Sequence, residues 1–259
     1  MPSFQSMNLK GIVSDLDGVA YRGDSPIPDA VEAFRRWHAD GIPYAFVTNN
    51  ATKSAVDFAA KLTRMGIVAE PEQVFCAVSA TASLMRRRWP AGARVFAIGE
   101  QPLFEALEQA GFTPAGDDAE VVVLGFDYQL NYTKLSTAVR ATLGGAAVVV
   151  TNPDLLVPVE NGYEPCVGVL MAAVQAAVPS CRPIVVGKPE PLMIEEALGF
   201  LGTPREGTIM IGDQIATDIL AGQRAGLRSV LVTTGVAAAA RLDVTPDIEV
   251  ASLLELIAD

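Results

Sequence analysis

Two carboxylates that lie one residue apart are the first sign of chemistry in this sequence. Asp15 and Asp17 stand in the segment GIVSDLDG, where an apolar run stops at Gly18. Residues two apart in an extended strand point to the same side, so both carboxylates face one crevice if the strand persists that far. A third carboxylate, Asp213, follows the apolar run GTIMIG. Like charges this close repel, so either the carboxyl pKa values rise or a cation binds among them.

A hard divalent cation is the simpler of these two outcomes. Mg²⁺ prefers a few carboxylate or carbonyl oxygens and keeps several waters, which suits a site that also receives a substrate oxygen. Lys188 offers a compact ammonium group to a phosphate, while the Thr48 hydroxyl and the backbone amides around Asn49 can donate to its oxygens. A carboxylate, a metal and an ammonium group around one phosphoryl group predict transfer through an aspartyl-phosphate.

The elements that position these residues follow from the hydrophobic pattern. Short runs rich in Val and Ile alternate with amphipathic stretches of helical length, which predicts an α/β fold with mostly parallel strands. Two of the predicted helices, DAVEAFRRWHADG and TDILAGQRAG, end at Gly41 and Gly226, where a left-handed C-cap favours glycine.

Four of the apolar runs share a polar ending. The residues at these endings are Asp15 and Asp17, Thr48 with Asn49 and Asn50, Lys188, and Asp213. We expect the four runs to form one parallel sheet, because ligands of such sheets bind outside the carboxyl ends of the strands. Residues 82–182 contain further strands and helices, and they are predicted to form a second α/β domain that is inserted into a core made of residues 1–81 and 183–259.

The order of the motifs resembles the haloacid dehalogenase (HAD) superfamily of phosphohydrolases. DLDG, VTNN, VGKP and IGDQIATD follow one another along most of the chain in the order of the family's four signatures. The insert between the second and third motifs is similar to the type IIA cap of the NagD-like subfamily, which includes p-nitrophenylphosphatases, nucleotide monophosphatases and phosphoglycolate phosphatases. The resemblance implies a Rossmann-like core with an inserted α/β cap and Mg²⁺-dependent hydrolysis of small phosphate monoesters, sugar phosphates among them.

The resemblance also implies a role for each acidic residue of the motifs. Asp15 is the nucleophile and binds Mg²⁺ through its other oxygen. Asp17 is the general acid and then the general base, and its backbone carbonyl also reaches the metal. Asp213 binds the metal directly or through water, and Asp218 holds Asp213 in position without binding the metal itself. As an alternative, Asp218 braces the helix that follows Asp213.

The remaining motif residues are implied to hold the phosphoryl oxygens. They are Thr48, Asn49, Asn50 and Lys188. Asn50 has a structural alternative, the N-cap of a helix that starts near Thr52. Gln214 departs from the Asn or Arg that relatives often carry there, a difference at the margin of the site.

Composition excludes several classes of protein. The chain has 259 residues with 30 acidic and 19 basic side chains, and its net charge of -11 disfavours binding to nucleic acid or to an anionic membrane face. The one histidine, His38, argues against histidine-based phosphatase mechanisms. Widely spaced cysteines (Cys76, Cys166 and Cys181) and an N-terminus without a targeting pattern predict a reducing, cytoplasmic location.

Substrate choice is expected to reside in the cap, because the core motifs contact only phosphate and metal. The candidate cap residues are Asp127, Tyr132, Asn152, Asp154 and Glu164. A structural role in turns or at helix starts would also explain most of these residue types. A homodimer through the cap is implied by the resemblance alone. A phosphate-responsive signalling module without hydrolytic activity remains an alternative function, whereas a nicotinamide enzyme lacks the GxGxxG sequence after a strand.

Overall fold

The computed structural model describes residues 9–159, 162–235 and 243–257 of the chain. It divides into two compact units. The first unit comprises Met1–Thr48, Ala55–Phe75 and Lys188–Asp259, and the second comprises Asn49–Ser54 and Cys76–Gly187. The N-terminal segment, whose sequence lacks a targeting pattern, lies mostly outside the described residues. The domain bounds 1–81, 82–182 and 183–259 stay a prediction.

Eight α-helices lie between strands or groups of strands along the described chain. The strands are β1 (Gly11–Ser14), β2 (Tyr21–Arg22), β3 (Ser25–Pro26), β4 (Tyr44–Thr48), β5 (Val74–Cys76), β6 (Arg94–Ile98), β7 (Thr113–Pro114), β8 (Val121–Leu124), β9 (Ala147–Val150), β10 (Leu156–Val159), β11 (Gly162–Pro165), β12 (Ile184–Val185), β13 (Thr208–Gly212), β14 (Arg228–Val232) and β15 (Ile248–Val250). The α-helices are α1 (Pro28–Ala39), α2 (Ala55–Arg64), α3 (Ala77–Arg88), α4 (Gln101–Gln109), α5 (Tyr132–Leu143), α6 (Val167–Ala177), α7 (Leu192–Leu201) and α8 (Leu220–Arg224). Shorter helical turns span Pro71–Gln73 and Leu253–Leu256 (3₁₀) and Ile215–Ile219 (π).

The first unit is built on a six-stranded sheet with the order β15-β14-β13-β1-β4-β5. Strand β1 pairs in parallel with both β13 and β4, and Ser14 lies opposite Ile211 on one side and Phe46 on the other. Because parallel strands in this register end at the same edge, the residues that follow β1 and β13 and the last residue of β4 meet there. The predicted α/β fold with a parallel sheet is confirmed.

The second unit has its own parallel five-stranded sheet, with the order β12-β9-β8-β6-β7. Its strand β12 precedes Lys188 and pairs with β9, Ile184 opposite Val149 and Val185 opposite Val150. The prediction that the four runs with polar endings form one sheet is therefore wrong for the run before Lys188. The physical reason is that a two-residue apolar strand pairs through backbone groups, which any free parallel edge offers equally.

Aromatic packing fixes the strand that ends at Thr48. Helix α1 places Phe34 and Trp37 in the core, and the ring of Phe34 lies 5.1 Å from the ring of Phe46 in β4 and 5.3 Å from that of Tyr44. Full burial of each such side chain contributes about 1.5–3 kcal/mol. The core of the first unit thus anchors β4 directly before the site.

Both predicted helix ends are confirmed. Helix α1 begins at Pro28 with Asp29 in its first turn, and Gly41 follows it with φ +69°. Helix α8 is followed by Gly226 with φ +73°. Glycine adopts this left-handed conformation without the steric cost that other residues incur. Along the described helices, none has the length and apolar character needed to cross a membrane.

Candidate active site

Lys188 is buried between two carboxylates at the edge of the first unit's sheet. Its Nζ lies 2.5 Å from Oδ1 of Asp15 and 2.6 Å from Oδ1 of Asp218, and it is 3.4 Å from the carbonyl oxygen of Val47. All three charged side chains are buried; Lys188 is 3% exposed and Asp15 is 7% exposed. The ammonium group is therefore held in one place, in contact with the carboxylates of Asp15 and Asp218.

Asp218 has a protein donor on each of its oxygens. Oδ1 accepts from Lys188, and Oδ2 accepts from the backbone N–H of Gln214 at 3.0 Å. The close approach of Asp218 requires glycine at 212, since a Cβ there would lie 2.0 Å from Cβ of Asp218. Hydrogen bonds on both oxygens hold the Asp218 carboxylate in one orientation against Lys188.

Asp213 differs from Asp218 in having an unused oxygen. Among the described residues, no donor reaches its buried Oδ1. Two glycines close around the carboxylate: a Cβ at Gly18, where φ is +83°, would lie 2.3 Å from Oδ2, and a Cβ at Gly235 would lie 1.8 Å from the same atom. A buried polar atom without a partner is costly, so this oxygen is a natural ligand for a cation.

Three carboxylates lie close together beside the Lys188 ammonium group. Asp15, Asp213 and Asp218 each contribute an oxygen, and these oxygens lie within 4.8 Å of one another. Burial raises the pKa of Asp15 well above its ordinary value against the opposing effect of Lys188, and burial and the Asp218 charge raise the pKa of Asp213 to about 7. Burial disfavours the Lys188 ammonium, but Asp15 and Asp218 outweigh it and raise its pKa. The excess of negative charge fits a bound cation.

Asp17 lies in a different environment from Asp15. Strand β1 ends at Ser14, Asp15 is buried, and Asp17 is exposed and forms a β-bridge with Tyr21. Burial and the nearby charges of Asp17 and Asp15 raise the pKa of Tyr21. The Asp17 carboxylate is not one of the three clustered carboxylates, and the predicted contact of Asp17 with the metal involves its backbone carbonyl.

Thr48 and Asn49 are neighbours in the chain but belong to different units. Thr48 is the last residue of β4 and is buried. Asn49 belongs to the second unit, where its side-chain amide donates to the two Asp154 oxygens at 3.1 and 3.3 Å. Its carbonyl oxygen accepts from Asn152 Nδ2 at 2.9 Å. Two of the candidate cap residues therefore hold the Asn49 side chain and the peptide between Asn49 and Asn50.

Asn50 takes part in a local turn. Its Oδ1 accepts from the N–H of Thr52 at 2.9 Å and from the Thr52 hydroxyl at 2.7 Å. Helix α2 begins only at Ala55, so the suggested N-cap near Thr52 is not where a helix starts. This Asx-type turn shapes the backbone around Asn49.

The other cap candidates have separate positions. Asp127 pairs with Lys134 at 2.6 Å and accepts from the N–H of Gln129, as its turn chemistry suggested. Tyr132 is the first residue of α5 and is 85% exposed, and Glu164 is exposed on β11. These contacts agree with the structural explanation of Asp127.

Two residues near the site lie outside the four sequence motifs. The hydroxyl of Thr234 donates to the carbonyl oxygen of Gly18 at 2.7 Å, and Gly235 packs against Asp213 as described above. The run SVLVTTG could have indicated them, because it ends in hydroxyl groups and a glycine just as the other strands of this sheet end in polar residues.

Comparison with known proteins places this geometry in a family. Residues 12–113 match the family described as haloacid dehalogenase-like hydrolase, and residues 185–256 match the family described as HAD-hydrolase-like. A 5'-nucleotidase of Bacillus subtilis is 39% identical over 227 residues, which cover 88% of each chain. The chain belongs to the haloacid dehalogenase-like hydrolases. Within this family it is a NagD-like phosphoric monoester hydrolase.

Further HAD relatives agree in sequence and in structure. An acid sugar phosphatase of Staphylococcus saprophyticus is 36% identical, with 88% of each chain covered. The crystal structure of a thermostable NPPase double mutant from Geobacillus stearothermophilus superposes with a TM-score of 0.89 at 39% identity, covering 95% of this chain and 97% of that one. A p-nitrophenyl phosphatase from Archaeoglobus fulgidus gives 0.89 at 33% identity, covering 98% of both. Membership of this hydrolase family removes the alternative of a non-hydrolytic signalling module.

Proposed function

We propose that the protein is a Mg²⁺-dependent phosphatase that hydrolyses small phosphate monoesters through phosphorylated Asp15. The observation that carries the proposal is the position of Lys188, whose ammonium group lies 2.5 Å from Asp15 in a cluster that also contains the unpaired oxygen of Asp213. This arrangement supplies a nucleophile, a fixed positive charge and a free anionic ligand in one place.

In the first step, an Asp15 oxygen attacks phosphorus and the bond between phosphorus and the ester oxygen breaks. Asp15 must be ionised for this; burial raises its pKa, and the adjacent Lys188 opposes that rise in part. Lys188 and the Thr48 hydroxyl donate to the phosphoryl oxygens. Asp17 donates a proton to the departing alkoxide, a role that its exposure to solvent permits because a substrate can reach it.

In the second step, water attacks the phosphorus of phospho-Asp15. Asp17, which lost its proton in the first step, accepts one from this water. The bond between phosphorus and the Asp15 oxygen breaks, inorganic phosphate leaves, and the carboxylate is restored. Each cycle therefore consumes one ester and one water and returns every side chain to its starting protonation state.

The residues that would hold Mg²⁺ are the carboxylates of Asp15 and Asp213 and the backbone carbonyl of Asp17. When bound, the ion supplies positive charge that offsets the charge of the phosphoryl oxygens. Asp218 supports the site through Lys188, from which it accepts a hydrogen bond at 2.6 Å.

The substrate class is proposed from the relatives and from the second unit. Relatives are named for 5'-nucleotides, sugar phosphates and p-nitrophenyl phosphate, all of which are small monoesters. Hydrogen bonds with Asn152 and Asp154 hold Asn49 in place, and family resemblance supports the role proposed for Asn49 and Asn50 beside the phosphoryl group. A cytoplasmic location and a homodimer through the second unit complete the proposal, the latter on family resemblance.

A phosphate-release assay tests the proposal. Sugar phosphates, nucleoside monophosphates, phosphoglycolate, pyridoxal phosphate and p-nitrophenyl phosphate are supplied with Mg²⁺ or with EDTA, and we expect many turnovers per chain only with the metal. Asp15→Asn abolishes turnover without loss of fold, and Asp17→Asn slows it severely. Asp117→Asn, at an exposed ion pair with Arg140, is the matched control. Unchanged rates in the Asp15 or Asp17 variant, or full activity in EDTA, would refute the assignment.

A further inference from the structure

Thr234 contacts both ends of the turn that follows Asp17. It lies in the loop after β14, and its hydroxyl donates to the carbonyl oxygen of Gly18 at 2.7 Å. Its own carbonyl oxygen accepts from Nε of Arg22 at 2.6 Å and also from Nη2 of the same guanidinium group. One residue from a distant part of the chain thus joins the first and last residues of the segment 18–22.

The segment from Asp17 to Arg22 is a closed turn with its own hydrogen bonds. The N–H of Gly18 donates to the carbonyl oxygen of Tyr21 at 2.8 Å, and that of Ala20 donates to the carbonyl oxygen of Leu16 at 2.8 Å. The turn requires the left-handed conformation of Gly18, φ +83°. The orientation of the Asp17–Gly18 peptide is therefore tied to the rest of the turn, and Thr234 contacts that peptide's neighbour directly.

The position of Asp17 explains why such a contact matters. Asp15, Lys188 and Asp218 are buried and hold one another in place, whereas Asp17 is exposed. Exposed side chains gain little positional order from packing. The geometry of the backbone that carries Asp17 therefore depends on hydrogen bonds as well as on packing, and that of Thr234 is one of them.

We infer that Thr234 and Arg22 are positioning residues that fix the Asp17–Gly18 backbone and so aim the Asp17 carboxyl at the leaving-group oxygen. The inference rests on the proposed function, because it concerns the proton transfer assigned to Asp17. Proton transfer depends steeply on distance and direction, and displacement of a reacting group by about 1 Å can cost ~10²-fold in rate. Neither residue touches the substrate in this role.

The leaving group gives a readout that a purely structural role would not affect. p-Nitrophenolate is a much weaker base than phenolate, so its departure needs little help from a general acid. Loss of aim at Asp17 should therefore slow the single-turnover release of phenol from phenyl phosphate more than the release of p-nitrophenol from p-nitrophenyl phosphate. Both esters carry the same phosphoryl group on one aromatic ring, and KM is measured for each of them.

The experiment compares Thr234→Val, which keeps the shape but removes the hydroxyl, with Thr234→Ser, which keeps the hydroxyl. We expect Thr234→Val to slow phenol release about tenfold or more while KM for both esters and the rate with p-nitrophenyl phosphate change little. Thr234→Ser restores most of the rate. Arg22→Met tests the other contact, and should give the same selective loss to a smaller extent because it acts through the carbonyl of Thr234.

Two matched controls lie in the second unit. Thr113→Val removes an exposed strand hydroxyl, and Arg94→Met removes a guanidinium group whose Nε donates to the backbone carbonyl of Asp118 at 3.0 Å. Both should leave the ratio of the two rates unchanged. Thermal unfolding of every variant verifies that the fold is kept.

The outcomes separate this inference from the function on which it rests. Equal losses on both esters in Thr234→Val and Arg22→Met, or a Thr234→Ser variant no faster than Thr234→Val, overturn the positioning role. Asp17→Asn is measured in parallel. If Asp17→Asn shows no dependence on the leaving group, the general-acid role itself fails; if it shows that dependence and the Thr234 and Arg22 variants do not, only the inference fails.

Discussion

The ammonium group of Lys188 lies 2.6 Å from the carboxylate of Asp218. Both side chains are buried, and Asp218 also accepts a hydrogen bond from the backbone of Gln214. A buried charge pair of this kind is stable only when its remaining polar atoms are satisfied. Asp218 therefore acts on the site by holding Lys188 in place, and removal of its charge should affect Lys188 rather than the metal.

Replacement of Asp218 and of Asp213 by Asn should separate these two functions. Asp218→Asn weakens a charged hydrogen bond, so we expect a loss of about 1.5–3 kcal/mol in the free energy of unfolding. Above pH 7, where Asp213 is ionised with or without the Asp218 charge, Mg²⁺ affinity should change little. Asp213→Asn removes a proposed metal ligand, so the Mg²⁺ concentration for half-maximal activity should rise at least tenfold. Calorimetry measures the change in stability, and titration of activity with Mg²⁺ measures the change in metal affinity. A larger metal effect in Asp218→Asn than in Asp213→Asn would contradict the assignment.

Lys188→Met should make the acidic cluster unstable. It leaves the neighbouring buried carboxylates without their counter-charge, and loss of one partner of a buried ion pair costs about 3–5 kcal/mol. We expect turnover to be lost and the melting temperature to fall, with partial recovery of stability on addition of Mg²⁺, because a ligand that binds only the folded state stabilises it. Lys53→Met, at an exposed position, is the control and should melt like the wild-type protein.

The stability of the metal-free protein should depend on the ionisation of Asp213. Burial and the Asp218 charge raise its pKa from 3.8 to about 7 in the folded state. Between these values the folded protein keeps a proton that the unfolded chain releases, so this contribution to stability is complete below about pH 4 and is lost as the pH rises through 7. In EDTA, the melting temperature should fall over this range more in the wild-type protein than in Asp213→Asn.

Mg²⁺ binding should release the proton that Asp213 carries below pH 7. The metal binds the ionised carboxylate, so its affinity should rise with pH up to about 7, by at most about tenfold per pH unit for one displaced proton. Isothermal titration in buffers of different ionisation enthalpy counts the protons released. An affinity that is the same at pH 5.5 and pH 7.5 would refute the coupling.

Gly18→Ala should damage the site through two separate effects. A Cβ at this position would lie 2.3 Å from Oδ2 of Asp213, and φ of +83° is strained for any side chain. Gly23→Ala is the control, since φ there is +54° but nothing lies within 4 Å of the added Cβ. We expect both variants to lose about 1–2 kcal/mol from backbone strain, and only Gly18→Ala to lose Mg²⁺ affinity, measured by titration.

Much of the arrangement of the site could be predicted from the sequence, because Asp15, Thr48 and Asp213 each end a long apolar run of the parallel sheet. Strand order and edge position then bring them together. The partner of β12 could not be predicted, since a strand of only two apolar residues, Ile184 and Val185, pairs equally well with any open edge. The contact between Thr234 and Gly18 joins residues 216 positions apart through a backbone carbonyl, which every residue possesses.

The two glycines that enclose Asp213 leave its carboxylate almost no freedom to rotate, because a hydrogen in place of a side chain is all that fits on either side. A carboxylate held in this way offers an ion one oxygen in a fixed direction. Calcium favours larger shells in which carboxylates swing to bind through both oxygens, whereas magnesium accepts single oxygens in strict octahedral order. We therefore expect this crowding to favour magnesium over calcium, because Asp213 can offer only a single oxygen.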